Sequence, residues 1–147
     1  MNIKTVIILI LLATTINSLT GCGSSKADKI TGPSTSGASS CEGNALDLWS
    51  DKSKIGIDET ATITTKIYNT DGSNLGGCAA DITVNVTYSI NTTYGTLSAA
   101  SSSATIATTD SSSKYYFNIT LTGAARGTAS ITATRFDMKK TIYVDVE

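Results

Sequence analysis

The chain contains no histidine. That absence removes Ser-His-Asp and Cys-His nucleophilic sites, His-ligated metals and the side chain best suited to sensing pH near neutrality. There is a single proline, aromatics make up 6% of the residues, and only three cysteines are present. Charge of either sign is sparse: 11 Lys and Arg stand against 12 Asp and Glu, with no block of one sign. A nucleic-acid-binding protein normally carries a basic stripe, so no nucleic-acid partner is expected. The acidic residues are scattered over turns and strand ends, and nothing pairs two carboxylates for glycoside hydrolysis. No catalytic residue, no metal ligand set and no cofactor is read from the sequence, and the chain is not expected to be an enzyme. Its 147 residues suffice for one domain and a tether.

What is present begins at the N-terminus. Lys4 precedes the apolar run Val6 to Ala13, and a more polar stretch follows, Thr14 to Thr20. This is the order of a secretory signal peptide. Thr14, Thr15, Asn17, Ser18 and Thr20 dilute the second half. The apolar part is therefore short for a membrane span, which needs about 20 residues. The segment ends in Leu19-Thr20-Gly21-Cys22, which resembles the lipobox of bacterial lipoproteins. The resemblance implies that residues 1–21 are a cleaved signal peptide and that Cys22 becomes the new N-terminus. It also implies a diacylglyceryl thioether on Cys22 and usually a third acyl chain on its amine. More than one chain is what stable membrane attachment requires. Residue 23 is Gly and not Asp, which by the same resemblance favours the outer membrane in a Gram-negative cell. A plain cleaved signal and an uncleaved anchor are the alternatives.

Residues 22–40 comprise the lipidated N-terminus and a Gly/Ser-rich segment with the only proline, Pro33. Almost nothing in it could bury apolar surface and offset the entropy of ordering. It reads as a flexible tether with a root-mean-square span of roughly 25 Å. With Cys22 assigned to lipid, Cys41 and Cys78 remain as an even pair in an oxidising compartment, which predicts a disulfide. A redox or metal pair would show closer spacing.

From Cys41 to Glu147 the hydrophobic period is two. Ile82, Val84, Val86, Tyr88 and Ile90 alternate with Thr83, Asn85, Thr87 and Ser89. The same alternation runs through Ala61 to Ile67, Phe117 to Leu121, Ala129 to Ala133 and Ile142 to Val146. One apolar face per strand is the antiparallel pattern. Turn signals separate the runs: Asp71-Gly72-Ser73-Asn74, Gly76-Gly77, Gly95, Ser101 to Ser103, Ser111 to Ser113 and Gly123 to Gly127. About seven short strands at this spacing predict an all-β, Ig-like antiparallel sandwich over residues 41–147. The predicted core is Ile63, Ile67, Val84, Val86, Phe117, Ile119, Leu121, Ile131, Ile142 and Val144.

The order of these residues is also recognisable. Asp71-Gly72, then Gly95-Thr96-Leu97, then Gly127-Thr128-Ala129-Ser130-Ile131-Thr132-Ala133 and a final strand resemble a bacterial Ig-like domain of the invasin/intimin group. The likeness covers roughly Leu46 to Glu147. The usual turn proline and valine are replaced by Asn74, Leu75 and Gly76-Gly77, and the cysteine pair is not a hallmark of the group. The resemblance implies a non-enzymatic role as a stalk, spacer or binding module outside the cytoplasm.

Among candidate sites, Asp71-Gly72-Ser73-Asn74 could open a calcium loop, but the twelfth position is Ile82 where an EF-hand needs an acid. A hairpin turn is the expectation there, and Asp58-Glu59 is expected to be a solvated pair at the start of a strand. Trp49, Tyr68, Tyr116 and Tyr143 are each out of phase with their apolar neighbours and should face outward, either scattered singly or covering strand edges, or as a candidate binding surface. The combined expectation is a cell-envelope lipoprotein held in the lipid membrane through acylated Cys22. It would present one Ig-like domain for adhesion or structural interaction with an envelope protein, a host protein or a polysaccharide. The alternative is a periplasm-facing accessory subunit of a secretion or transport complex.

Overall fold

The computed structural model describes residues 41–147. Residues 1–21, expected to be a signal peptide, Cys22, and the expected tether to residue 40 lie outside the described residues. The described chain forms nine strands: β1 (Ala45–Ser50), β2 (Lys54–Ile55), β3 (Thr60–Tyr68), β4 (Ile82–Ile90), β5 (Gly95–Leu97), β6 (Ser101–Ile106), β7 (Lys114–Gly123), β8 (Gly127–Arg135) and β9 (Met138–Val146). The long strands β3, β4 and β7 alternate inward and outward residues, as β4 does with Val84, Val86 and Tyr88 inside and Thr83, Asn85 and Thr87 outside, while β9 alternates only from Ile142 onward.

One sheet has the order β1-β3-β7-β5 and the other β2-β9-β8-β4-β6. All pairings are antiparallel except that of β2 with β9. β1, β3, β7 and β5 take the places of A, B, E and D in one sheet, and β4, β8 and β9 those of C, F and G in the other, which is the Ig-like arrangement. The two strands beyond these seven are β2 and β6, at the two ends of the five-stranded sheet. Two turn assignments need correction. Gly95 opens β5, and Ser101 to Ser103 belong to β6. A serine run reads locally as loop, but pairing with β4 supplies the backbone bonds that hold it extended.

The core lies between the sheets. Nine of the ten predicted core residues are buried; Ile142 is half-buried. Its side chain points inward but sits where β9 has lost its outer neighbour, because β2 reaches only Asp145 and Val146. Three polar residues are buried as well: Thr65, Asn69 and Arg135. Thr65 of β3 is 0% exposed, and its Oγ1 lies 3.0 Å from the phenolic oxygen of Tyr88 in β4. This hydrogen bond joins the two sheets. Arg135, at the end of β8, is 3% exposed and donates from Nη1 to the Gly43 carbonyl at 3.1 Å and from Nη2 to Glu42 Oε2 at 3.2 Å. Burial lowers the pKa of its guanidinium, an effect that Glu42 opposes.

The same end of the domain holds the disulfide. Cys41 and Cys78 are joined, with Cα atoms 5.5 Å apart and a sequence separation of 37. A loop of that size corresponds to about 4 kcal/mol in the chain-entropy account. Gly76 also donates its N–H to the Cys41 carbonyl at 2.8 Å. The chain therefore enters the domain at a point cross-linked to the β3–β4 connection. The glycine that opens the Gly-Thr-Ala motif has a packing reason. Gly127 has φ +145, and a Cβ there would lie 2.3 Å from the Tyr94 ring.

Candidate binding face

Strand period places β3 residues Lys66 and Tyr68, β7 residues Lys114 and Tyr116, and β1 residues Asp47 and Trp49 on the outer face of the four-stranded sheet. Register then brings them together. Asp47, Lys66 and Tyr116 stand in one cross-strand row, and Trp49, Thr64 and Asn118 in the next. Trp49 and Tyr116 meet edge to face, with ring centroids 6.2 Å apart and an interplanar angle of 88°. They are 40% and 50% exposed. Lys66 Nζ lies 4.1 Å from the centroid of Tyr68 and 2.8 Å from Asp47 Oδ2. Its pKa is raised, chiefly by the hydrogen bond to Asp47. Lys114 Nζ lies 6.0 Å from the Tyr116 centroid.

Around this cluster the face is a ladder of hydroxyls and amides: Thr60, Thr62 and Thr64 on β3 beside Asn118, Thr120 and Thr122 on β7. A groove of about 350 Å³ adjoins it, lined among others by Asp47, Tyr68, Lys139 and Lys140. Exposed aromatics offer stacking area, lysines offer cations, and Thr and Asn offer hydrogen bonds. The arrangement suits recognition of a surface.

The structure thus gathers Trp49, Tyr68 and Tyr116 and sets Tyr143 apart. Tyr143 is 68% exposed but belongs to β9, in the other sheet. The four aromatics point outward and do not form one surface. Tyr68 is half-buried beneath the lysine. Lys66, Lys114 and Asp47 were not singled out from the sequence. Their two-residue spacing from Tyr68, Tyr116 and Trp49 is the signal that places them on the same face.

The Asp71 region is a turn closed by its own side chain. Ser73 N–H donates to Asp71 Oδ1 at 2.9 Å, and Gly72, with φ 77, donates to the Asn69 carbonyl. These bonds to Ser73 hold the Asp71 carboxyl below the usual carboxylate range. Asp58 and Glu59 sit in the turn before β3, where Glu59 Oε2 accepts from the Gly56 N–H at 2.9 Å. Among the described residues no cluster of three or more Cys, Asp or Glu could hold a metal ion.

These features define an Ig-like β-sandwich with a lysine–aromatic cluster on one sheet. No protein-family model matches the chain, and no curated protein matches it. Solved structures do resemble it. Domains 4 and 5 of the S-layer protein SbsC are 18% identical, with a TM-score of 0.46 over 69% of this chain and 46% of that one. A C-terminal 282-residue fragment of intimin, in complex with the intimin-binding domain of its translocated receptor, is 22% identical, with a TM-score of 0.46 over 69% of this chain and 33% of that one. The CARDB domain of a Pyrococcus furiosus protein, in complex with di-metal ions, is 16% identical, with a TM-score of 0.48 over 70% and 86%. The chain spans less than half the length of the first two. Likeness at this level says nothing about ligand or partner.

Proposed function

We propose that this chain is a lipid-anchored protein of the bacterial envelope, of the outer membrane where the cell has one, and that it works by binding and not by catalysis. Acylated Cys22 holds it to the membrane, residues 23–40 lift the domain off the lipid, and the outer face of the four-stranded sheet meets an envelope or host partner, protein or polysaccharide. The observation that carries the binding part is the exposed Trp49–Tyr116 pair flanked by Lys66 and Lys114. Buried aromatic anchors inside a polar rim are the usual energetic centre of an interface. The anchoring part rests on the Leu19-Thr20-Gly21-Cys22 motif behind a basic and apolar leader. Catalysis is set aside because the chain lacks histidine and its two described cysteines are bonded to each other. The test is photo-crosslinking in intact cells with a benzophenone side chain at position 116. The expected outcome is a discrete adduct that the same probe at 143, on the opposite sheet, does not give. Equal labelling from both positions would overturn the assignment of the face.

A further inference from the structure

Every open sheet has edges, and proteins protect them with short strands, charge, proline or a covering segment. This sandwich protects all but one. β2 and β5 are 2 and 3 residues long. The stretches of β9 and β7 beyond them carry Lys139, Lys140 and Lys114. β1 carries Asp47 and lies beside β9. Among the described residues β6 has none of these devices. It is a six-residue edge strand within Ser98 to Thr109, a segment without charge or proline.

The direction of its free backbone groups follows from register. β4 pairs β6 with Val86 opposite Ser102 and Val84 opposite Ala104, and the Tyr88 N–H donates to the Ala100 carbonyl at 2.8 Å. Bonded and non-bonded pairs alternate in an antiparallel ladder. Ser102, Ala104 and Ile106 therefore turn their backbone groups toward β4. Ser101, Ser103 and Thr105 turn theirs away, and these groups make no other backbone hydrogen bond among the described residues. The same three side chains are exposed on the outer face of the five-stranded sheet.

We infer that β6 is a self-association edge, and that its occupant is β6 of a second copy of this chain. The sequence of the strand is complementary to itself about Ser103. In an antiparallel pair centred there, Ser103 exchanges backbone bonds with its counterpart, and Ser101 does so with Thr105 of the second copy. The residues between them, Ser102 and Ala104, face each other across the same axis. Every side chain in this register is small and uncharged, so nothing clashes or repels. The net charge of the chain is only −1, so two copies do not oppose each other strongly. The result is a two-fold dimer with a continuous sheet across the interface. It leaves the lysine–aromatic face open, because that face is on the other sheet, and it holds whether or not that face binds a partner. A pairing of this size is weak in free solution.

The test uses purified full-length protein in detergent, over a concentration series, with cysteine as a register probe. Cα atoms of a bonded antiparallel pair are about 5.5 Å apart, within disulfide range. Ser103→Cys is expected to give a covalent homodimer under mild oxidation. Ser101→Cys alone is expected to give none, since its own counterpart lies about 13 Å away at 3.3 Å per residue. A mixture of Ser101→Cys and Thr105→Cys chains should link to each other. Ser89→Cys, exposed on the interior strand β4, is the collision control. Light scattering gives the second readout. Wild type should rise toward twice the monomer mass, and Ser103→Pro, which removes an outward donor, should stay at the monomer. Ser103→Lys gives the same result without touching the backbone. Self-linking of Ser101→Cys as strong as that of Ser103→Cys, or an unchanged mass series for Ser103→Lys, overturns the inference. So does Ser103→Cys that links only to a different protein when the reaction is repeated in cells.

Discussion

The hydrogen bond between Thr65 and Tyr88 is the sharpest handle on how the two sheets meet. It connects β3 to β4 through the interior at 3.0 Å, and neither side chain is more than 7% exposed. Tyr88→Phe keeps the ring and strands the Thr65 hydroxyl, which should cost about 1–3 kcal/mol for an unsatisfied buried group. Thr65→Val keeps the shape and strands the phenol, with a loss in the same range. The double variant removes both polar atoms and leaves two apolar surfaces in contact. Its cost should fall below about 1 kcal/mol, because no unpaired group remains. The coupling is therefore at least about 1 kcal/mol and up to about 5 kcal/mol, large enough for a double-mutant cycle to resolve. Urea unfolding of the full chain followed by tryptophan fluorescence would measure it, with an unchanged slope as the sign that the denatured state is not the cause. Each single variant should lower the Tm by several degrees. Additivity within about 0.5 kcal/mol would mean that the two hydroxyls do not meet, and the packing of β3 against β4 would be wrong.

Phe117→Ala should cost about 3–5 kcal/mol as a buried large-to-small change, while Thr120→Ala, on the outer face of the same strand, should cost under about 1 kcal/mol; thermal melts of the two compare them. Replacing Cys41 and Cys78 by Ser should remove about 2–5 kcal/mol, seen as a lower urea midpoint that reducing agent lowers no further. Asp71 has a folded pKa below its unfolded value, so its contribution is present above the unfolded pKa and fades as pH falls through the folded one. The stability gap between wild type and Asp71→Ala should therefore be constant near neutrality and close in strong acid, and a gap that widens in acid would contradict this. Cys22→Ala should move the protein from the membrane to the soluble fraction, as judged by fractionation.

The sandwich was legible where side chains alternate over a long run. In β3, β4, β7, β8 and β9 a one-residue slip would expose the whole apolar set, so the pattern states which side of each strand is inside. Phase does not state which sheet a strand joins. Tyr116 and Tyr143 are both out of phase, yet topology sends them to opposite faces of the sandwich. β6 was hidden because Ser101 to Ser103 have no strand preference of their own and are held by β4. Thr65 and Arg135 occupy inward positions in perfect period, but a polar residue there reads as an interruption until its partner is known, Tyr88 in one case and Glu42 with Gly43 in the other. The lysines of the candidate face were equally in phase with the aromatics. Only the register of β1, β3 and β7 shows that Asp47, Lys66 and Tyr116 share a row.

The central claim is that the lysine–aromatic face of the four-stranded sheet is the surface with which the domain binds. The most direct measurement is sedimentation of the purified full chain with isolated envelope of the source cells, comparing wild type with the Trp49→Ala/Tyr116→Ala double variant and with Tyr143→Ala. Before the assay, matched melting curves establish that all three are folded. The account predicts at least a tenfold loss of binding in the double variant, since two anchors of about 1–2 kcal/mol each are removed, and wild-type binding in Tyr143→Ala. Undiminished binding by the folded double variant would contradict it.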